Sequence, residues 1–326
     1  MRAARLPRSA RSPGKLRDMT LDDLRAHLAA LLDFAAPETP PEFGVVTHAE
    51  RDGYVEQRVV FRGPEGDVPA FLLVPGGAGR PLPAVVVHHQ HHGEWHVGKS
   101  EVAGLAGDPL QAFGPALARR GLVVLAPDAP GFEDRRASGP GTDPRGEDDR
   151  YRYLNEMGHR LVAGRLLMTT VLRDAAAALS ALSAHPAVDP DVVGVAGHSM
   201  GGTTALFHAA LDARVRFAAV SGAACTYGRR VADGTAIELA SAIPGIAGVA
   251  DLDDIARLVA PRPLLLVSAT EDRYSADAEE IEQAIAGRFP AGTLRHARFE
   301  GGHALTPERF ATVVDWLAEA AATWRT

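Results

Sequence analysis

The sequence predicts an α/β fold in which helices cover both faces of a mostly parallel β-sheet. Short apolar segments, typical of buried strands, alternate along the chain with longer amphipathic segments, typical of helices. The chain has 326 residues and 46% of them are hydrophobic, so it is long enough to bury one large core. A glycine-flanked turn near residue 199, between an apolar run and a helical pattern, favours the same fold class.

The predicted elements comprise eight strands and three long helices. A helix over 20–34 comes first, because leucines recur there at helical spacing and Thr20 with Asp23 forms a capping signal. Two further helices, over 161–182 and 306–324, show long apolar faces. The strands are predicted at 54–62, 69–75, 83–89, 121–127, 192–197, 216–221, 263–269 and 293–299.

The predicted domain organisation is a single α/β domain over residues 20–326. A basic, disordered tail is expected over residues 1–19, which contain several arginines. Two insertions, near 133–158 and 227–250, are expected to lie at the carboxyl edge of the sheet. We expect them to form a cap or partial lid over the substrate pocket.

Composition excludes several classes of function. The net charge of −7 provides no broad basic surface for nucleic acid. Cys225 is the sole cysteine, so no intrachain disulfide is expected. No run approaches the ~18 apolar residues of a membrane span. The basic start of the chain lacks an apolar signal region, which predicts a cytoplasmic protein. The oligomeric state stays open, a homo-oligomer included.

The run Gly-His-Ser-Met-Gly-Gly at residues 197–202 places Ser199 between an apolar strand and a helical pattern. Gly-x-Ser-x-Gly in this context is typical of a nucleophile elbow, in which the serine occupies a strained turn. Side chains at Gly197 and Gly201 would collide there with neighbouring backbone. The N–H of Met200, at the start of the new helix, is expected to point to a developing oxyanion.

A serine hydroxyl needs a general base that a third group orients. In this kind of fold the acid and then the histidine follow the serine along the chain. The seventh predicted strand leads into Glu271 and Asp272, and the eighth leads into two glycines and His303. We predict Ser199 as nucleophile, His303 as general base and then acid, and Asp272 as the orienting carboxylate. Glu271 is the alternative acid.

Five histidines within residues 88–96 raise the alternative of a metal site. Adjacent residues of a strand face opposite sides of the sheet, so these side chains cannot all converge on one ion. The spacing His-Glu-x-x-His is absent from the run. We therefore predict no metal and no other cofactor, and a metallohydrolase using this run remains the weaker alternative.

The elbow run, the Asp272 loop, Gly301-Gly302-His303 and the segment Ala126–Phe132 together carry a family resemblance. Over roughly residues 54–322 the chain resembles the α/β-hydrolase superfamily, and within it the dienelactone-hydrolase-like and acetyl-esterase-like esterases. The resemblance implies an α/β-hydrolase fold with a mostly parallel eight-stranded sheet. It also implies a serine esterase that cleaves carboxylic esters through an acyl-enzyme. Dienelactone hydrolases proper use a cysteine nucleophile, and Ser199 at this position favours ordinary esters over lactones.

The same resemblance implies that the loop after strand 83–89 supplies a second oxyanion donor. We assign this donor to the backbone of His91, with Gln90 second. The expected partners are a small-molecule ester and water. The candidate substrate contacts, each also explicable by packing, are Trp95, Tyr151, Tyr153, Met157 and His198. A serine peptidase or amidase with the same three residues is the main alternative function.

Overall fold

The computed structural model describes residues 19–77 and 79–324. Within them, one sheet contains nine strands, and its strand order and connections determine where the candidate site lies. The strands are β1 (Gly44–Arg51), β2 (Tyr54–Gly63), β3 (Gly66–Pro75), β4 (Leu82–His88), β5 (Val123–Pro127), β6 (Val188–His198), β7 (Ala218–Ser221), β8 (Leu264–Ala269) and β9 (Leu294–Phe299). The predicted tail falls, for residues 1–18, outside the described residues.

The strand order across the sheet is β1-β2-β3-β5-β4-β6-β7-β8-β9. The first three strands pair antiparallel, and β3 joins β5 antiparallel. All strands from β5 through β4 to β9 run parallel. The predicted class, a mostly parallel sheet, is confirmed.

The predicted strand number of eight is wrong, because β1 adds a ninth strand at the edge of the sheet. Seven of its eight residues are exposed, so it shows no buried alternation for a sequence pattern to reveal. Among the strands of the described residues it pairs only with β2, and its register shifts between Val45 and Thr47. An edge strand of this kind is held by backbone hydrogen bonds more than by side-chain burial.

Ten α-helices connect the strands within the described residues. They are α1 (Leu21–Leu31), α2 (Lys99–Val102), α3 (Phe113–Ala118), α4 (Glu147–Val162), α5 (Leu167–Ser183), α6 (Met200–Leu211), α7 (Tyr227–Asp233), α8 (Leu252–Arg257), α9 (Ala278–Ile285) and α10 (Pro307–Thr323). The predicted cap of the first helix is confirmed, since the Thr20 hydroxyl oxygen accepts the Asp23 N–H at 3.1 Å.

The helices divide between the two faces of the sheet, as predicted. One core contains apolar residues of α1, α5, α6, α8 and α9, and the other contains those of α3 and α10. Alternate residues of each central strand pack in opposite cores. In β4, Val86 belongs to the first core, and Val85 and Val87 belong to the second. A parallel sheet buried on both faces accounts for the continuous apolar runs of its strands.

The predicted helix over 161–182 is two helices. Residues 161 and 162 end α4, the chain turns at Gly164 with φ of +69°, and α5 begins at Leu167. Val162 is 91% exposed, so the apolar face does not continue through this point. Among the described residues, no single helix has the length and hydropathy to cross a membrane. Helices α4 and α5 have that length and hydropathy only when taken together, and a bend of 100° separates them.

Candidate active site

Ser199 lies at the turn between β6 and α6 in a strained backbone conformation. Its φ of 57° and ψ of −120° are unusual for a residue other than glycine. A Cβ at Gly197 would lie 2.3 Å from the Gly201 backbone, and one at Gly201 would lie 2.0 Å from the His88 carbonyl oxygen. Neither position can hold a larger residue, so the sharp turn at Ser199 requires glycine at both positions.

Three side chains that are distant in the sequence meet at the carboxyl edge of the sheet. Ser199 follows β6, Asp272 follows β8 and His303 follows β9. The Nε2 atom of His303 lies 2.8 Å from Ser199 Oγ, and its Nδ1 atom lies 3.0 Å from Asp272 Oδ1. The carboxyl ends of parallel strands share one edge, which is why these loops converge. A continuous hydrogen-bonded line therefore runs from hydroxyl to imidazole to carboxylate.

The carboxylate in this line belongs to Asp272 and not to its neighbour Glu271. Asp272 is 3% exposed, and it also accepts hydrogen bonds from the Tyr274 N–H at 2.9 Å and the Ser275 hydroxyl at 2.8 Å. Burial opposes its ionisation, but the hydrogen bonds from His303 and Ser275 hold the Asp272 pKa below its usual value. Glu271 is exposed to solvent.

Two aromatic rings pack against the imidazole of His303. The ring centroid of Tyr274 lies 4.7 Å away and that of His198 lies 4.9 Å away. Gly222 permits this packing, because a Cβ there would lie 2.7 Å from His198 Cε1. His198 is itself buried, with Nδ1 at 3.0 Å from the Ser221 hydroxyl, and burial lowers its pKa to about 3. His198 is therefore a neutral ring where it packs against His303.

A cavity of about 440 Å³ opens beside Ser199 and His303, within the size range of small-molecule sites. Of the predicted substrate contacts, Trp95 and Tyr153 line it, together with His91. Further residues that the sequence did not single out as substrate contacts also line the cavity, among them Arg150, Thr203, Arg230, Ile237, Glu238, Leu239 and Tyr274. Most of these belong to residues 133–158 and 227–250, and no local pattern distinguishes the individual side chains.

The other predicted substrate contacts lie away from the cavity. Tyr151 is 65% exposed on the outer side of α4, whereas Met157 belongs to the buried core. His198 lies behind His303. The helical turn explains the first two positions, because only one face of α4, that of Tyr153 and Leu154, reaches the cavity.

Two of the three predicted oxyanion donors, Met200 and His91, line the cavity with Ser199. Met200 is the first residue of α6, where a helix N–H has no partner in its own ladder. His91 lines the cavity, and its Nδ1 accepts the Gly93 N–H at 2.8 Å. Burial lowers the pKa of His91 to about 4, so the ring is neutral near pH 7. Gln90 is buried, and its side chain donates to Glu101 at 3.1 Å.

The ring nitrogens of the histidine run already have partners at several positions. The Nε2 atom of His88 faces His208 Nδ1 at 3.3 Å, and both ring nitrogens of His89 are hydrogen bonded, to the Gln90 carbonyl and the Ala129 N–H. These contacts compete with metal coordination by this run.

Within the described part of the chain, the cluster with the spacing of metal ligands is Asp128, Glu133 and Asp134. The ammonium of Lys99 forms ion pairs with all three carboxylates, at 2.8 Å from Asp128 and 2.7 Å from Asp134. A lysine ammonium therefore already lies against all three carboxylates, where a metal ion would have to bind, and the cluster does not fit an additional cation.

Comparison with known proteins identifies the family. A model described as the dienelactone hydrolase family matches residues 68–288. The chain belongs to the dienelactone hydrolase family. It is therefore a hydrolase, as the motifs around Ser199 and His303 implied. YtaP of Bacillus subtilis (strain 168), a protein provisionally named as a hydrolase, is 29% identical over 250 residues, which are 72% of this chain and 77% of YtaP.

Solved structures of esterases share the fold of this dienelactone hydrolase family member. An acetyl xylan esterase, provisionally so named, from Bacteroides fragilis NCTC 9343 has a TM-score of 0.70 at 17% identity, over 87% of this chain and 77% of its own. The acetyl xylan esterase of Paenibacillus sp. R4 has a TM-score of 0.62 at 18% identity, over 94% and 96%. A glucuronoyl esterase from Solibacter usitatus has a TM-score of 0.62 at 16% identity, over 91% and 92%.

Proposed function

We propose that this protein hydrolyses carboxylic esters of small molecules through an acyl-enzyme on Ser199. One observation carries the proposal: the hydrogen-bonded line from Ser199 through His303 to Asp272 lies open to a cavity of about 440 Å³. A hydroxyl paired with an imidazole, which a carboxylate orients, is the arrangement that activates a serine for acyl transfer.

The first half of the reaction forms the acyl-enzyme. His303 Nε2 takes the Ser199 proton as Oγ attacks the ester carbonyl, and the carbonyl oxygen becomes an oxyanion. The N–H groups of Met200 and His91 stabilise this oxyanion by about 3 kcal/mol per donor. The C–O bond to the alcohol then breaks, and the imidazolium returns its proton to the leaving alkoxide.

The second half releases the acid. His303 removes a proton from water, and the hydroxide attacks the acyl carbon through the same oxyanion site. The bond to Ser199 Oγ breaks, and the proton on His303 passes to the serine. Asp272 accepts the Nδ1–H in both halves, so it fixes the imidazole tautomer that leaves Nε2 free as base.

Substitution of Ser199 tests the proposal, with Cys225 as the matched control. Ser199→Ala is expected to lower kcat/KM for a short p-nitrophenyl ester by about ten-thousand-fold or more. Cys225→Ala is expected to keep activity, because Cys225 is buried and burial raises its thiol pKa to about 11. A fluorophosphonate probe should add its mass to Ser199. Full turnover by Ser199→Ala would refute the nucleophile, and faster cleavage of a matched amide than of the ester would favour an amidase.

A further inference from the structure

We propose that Arg309 is a positioning residue that holds the backbone around His303 in its reactive place. The inference rests on the proposed ester hydrolysis and concerns a side chain outside the cavity lining. Arg309 lies in the first turn of α10, six residues after His303, and its guanidinium turns back toward the loop that carries His303.

The guanidinium donates to three carbonyl oxygens that flank His303. Its Nη1 atom lies 2.7 Å from the Gly302 oxygen and 2.9 Å from the Ala304 oxygen, and Nη2 lies 2.9 Å from the Glu300 oxygen. The planar fork of arginine suits several donors at fixed angles, which a lysine ammonium cannot reproduce. The carbonyls of residues 300, 302 and 304, on both sides of His303 in the sequence, thus all bind one guanidinium.

The buried position of this cation is electrostatically unfavourable, which indicates that Arg309 has a specific role there. Arg309 is 3% exposed, and among the described residues no carboxylate forms an ion pair with it. A positive charge in the first turn of a helix also opposes the helix dipole. Burial lowers the pKa of its guanidinium, and the nearby charge of Asp272 acts in the opposite direction. The three carbonyls, with the Phe299 ring at 5.8 Å, are the compensation that the structure provides.

The loop has few other restraints. Gly301, with φ of +99°, and Gly302 directly precede His303. Glycines allow a segment many alternative backbone conformations when nothing else holds it in place. Apart from the side chain of His303, the loop is also hydrogen bonded at Gly301, whose oxygen accepts the Glu271 N–H and whose N–H donates to Thr270 Oγ1 at 3.2 Å, and at Glu300, whose carboxylate accepts the Thr270 hydroxyl at 3.0 Å. These hydrogen bonds lie before His303, so within the described residues Arg309 alone binds backbone carbonyls on both sides of it.

The experiment compares Arg309→Ala and Arg309→Lys with the control Arg298→Ala. Arg298 is an exposed arginine of β9 that pairs with Glu279. We expect Arg309→Ala to lower kcat for a p-nitrophenyl ester by about 100-fold with KM nearly unchanged, because displacement of an imidazole by about 1 Å has that effect. Arg309→Lys should lose part of kcat and Arg298→Ala none. Guanidinium chloride at low concentration should restore kcat of Arg309→Ala, whereas potassium chloride should not.

An Arg309→Ala protein with wild-type kcat overturns the inference, and so does a loss that follows the folded fraction in thermal unfolding and does not respond to guanidinium. If Arg309→Ala does not fold, a wild-type kcat for Arg309→Lys overturns it equally. A wild-type protein that neither cleaves the ester nor reacts at Ser199 overturns the proposed function itself, and the inference falls with it.

Discussion

The hydroxyl of Tyr153 donates a 2.7 Å hydrogen bond to the Glu238 carboxylate, and this bond joins the two predicted insertions, 133–158 and 227–250. Tyr153 comes from α4, in the first insertion, and Glu238 comes from the second. Both side chains line the cavity. The other Glu238 oxygen accepts the Ala240 N–H at 2.7 Å, so the carboxylate organises its own segment as well. The wall of the cavity is therefore tied together across two separate parts of the chain.

Removal of this hydroxyl is expected to loosen the cavity wall. Tyr153→Phe should lower the free energy of unfolding by about 1.5–3 kcal/mol, the usual contribution of a hydrogen bond to a charged group. KM for an ester should rise because the wall becomes mobile, and kcat should change less. Denaturant titration and steady-state kinetics measure the two effects. Tyr151→Phe, two residues away and exposed, is the control. Equal stability of the two variants would contradict the prediction.

The neighbours Glu271 and Asp272 offer a matched test of the proposed orienting acid. Asp272→Asn should lower kcat by about 10⁴-fold while the fold is kept, because an amide no longer holds the productive tautomer of His303. Glu271→Gln, one residue earlier and exposed, should leave kcat unchanged. Steady-state kinetics of the two variants and their circular dichroism spectra provide the measurement. A reversed pattern would move the acid to Glu271.

Buried neutral histidines should make the fold sensitive to mild acid, and His89 allows a direct test. Burial lowers its pKa to about 4, whereas an unfolded histidine titrates near pH 6.5. The unfolded chain then binds the additional proton, so the stability from neutral His89 is lost as pH falls from about 6.5 toward 4. The slope is at most about 1.4 kcal/mol per pH unit.

The variant His89→Gln removes this titration together with the two hydrogen bonds of the ring. It should be less stable than wild type at neutral pH, and the difference in unfolding free energy should shrink on acidification. Urea titrations at several pH values measure the difference. His48→Gln, at an exposed position of β1, should track wild type throughout. A difference for His89→Gln that stays constant with pH would show that His89 is not held neutral in the fold.

Treatment with a chelator separates the serine mechanism from a metal-dependent one. We expect ester hydrolysis to survive dialysis against EDTA, because the Lys99 ammonium already contacts all three carboxylates of the cluster and the proposed chemistry uses protein groups and water alone. Activity measured before and after dialysis, and after addition of zinc, provides the check. Loss of activity with EDTA and its return with zinc would support the histidine run as a metal site.

The sequence was most informative where local chemistry and long apolar patterns coincide. The glycines around Ser199 predicted a tight turn, and the 2.0 Å between a Cβ added at Gly201 and the His88 oxygen explains why that motif is so restrictive. The apolar runs of β4, β6 and β8 predicted buried parallel strands, because both faces of these strands lie in the core.

Features held by the backbone alone, or by distant contacts, could not be predicted. The edge strand β1 lacks a buried face, so its apolar pattern carried no signal. The break between α4 and α5 had a signal in Gly164, which the apolar character of the flanking residues outweighed. The packing of His198 on His303 depends on the approach of Gly222, 24 residues from His198 in sequence. No local spacing contains that information.

The parallel pairing of strands β6 to β9 affects the order of events in folding. Ser199 and His303 are 104 residues apart, and three strand pairings, β6 with β7, β7 with β8 and β8 with β9, separate their loops across the sheet. Pairings over such sequence distances are the slow steps of folding. Ester hydrolysis should therefore return last during refolding, after most of the circular dichroism signal of the helices has returned. The onset of turnover then reports the formation of the native structure.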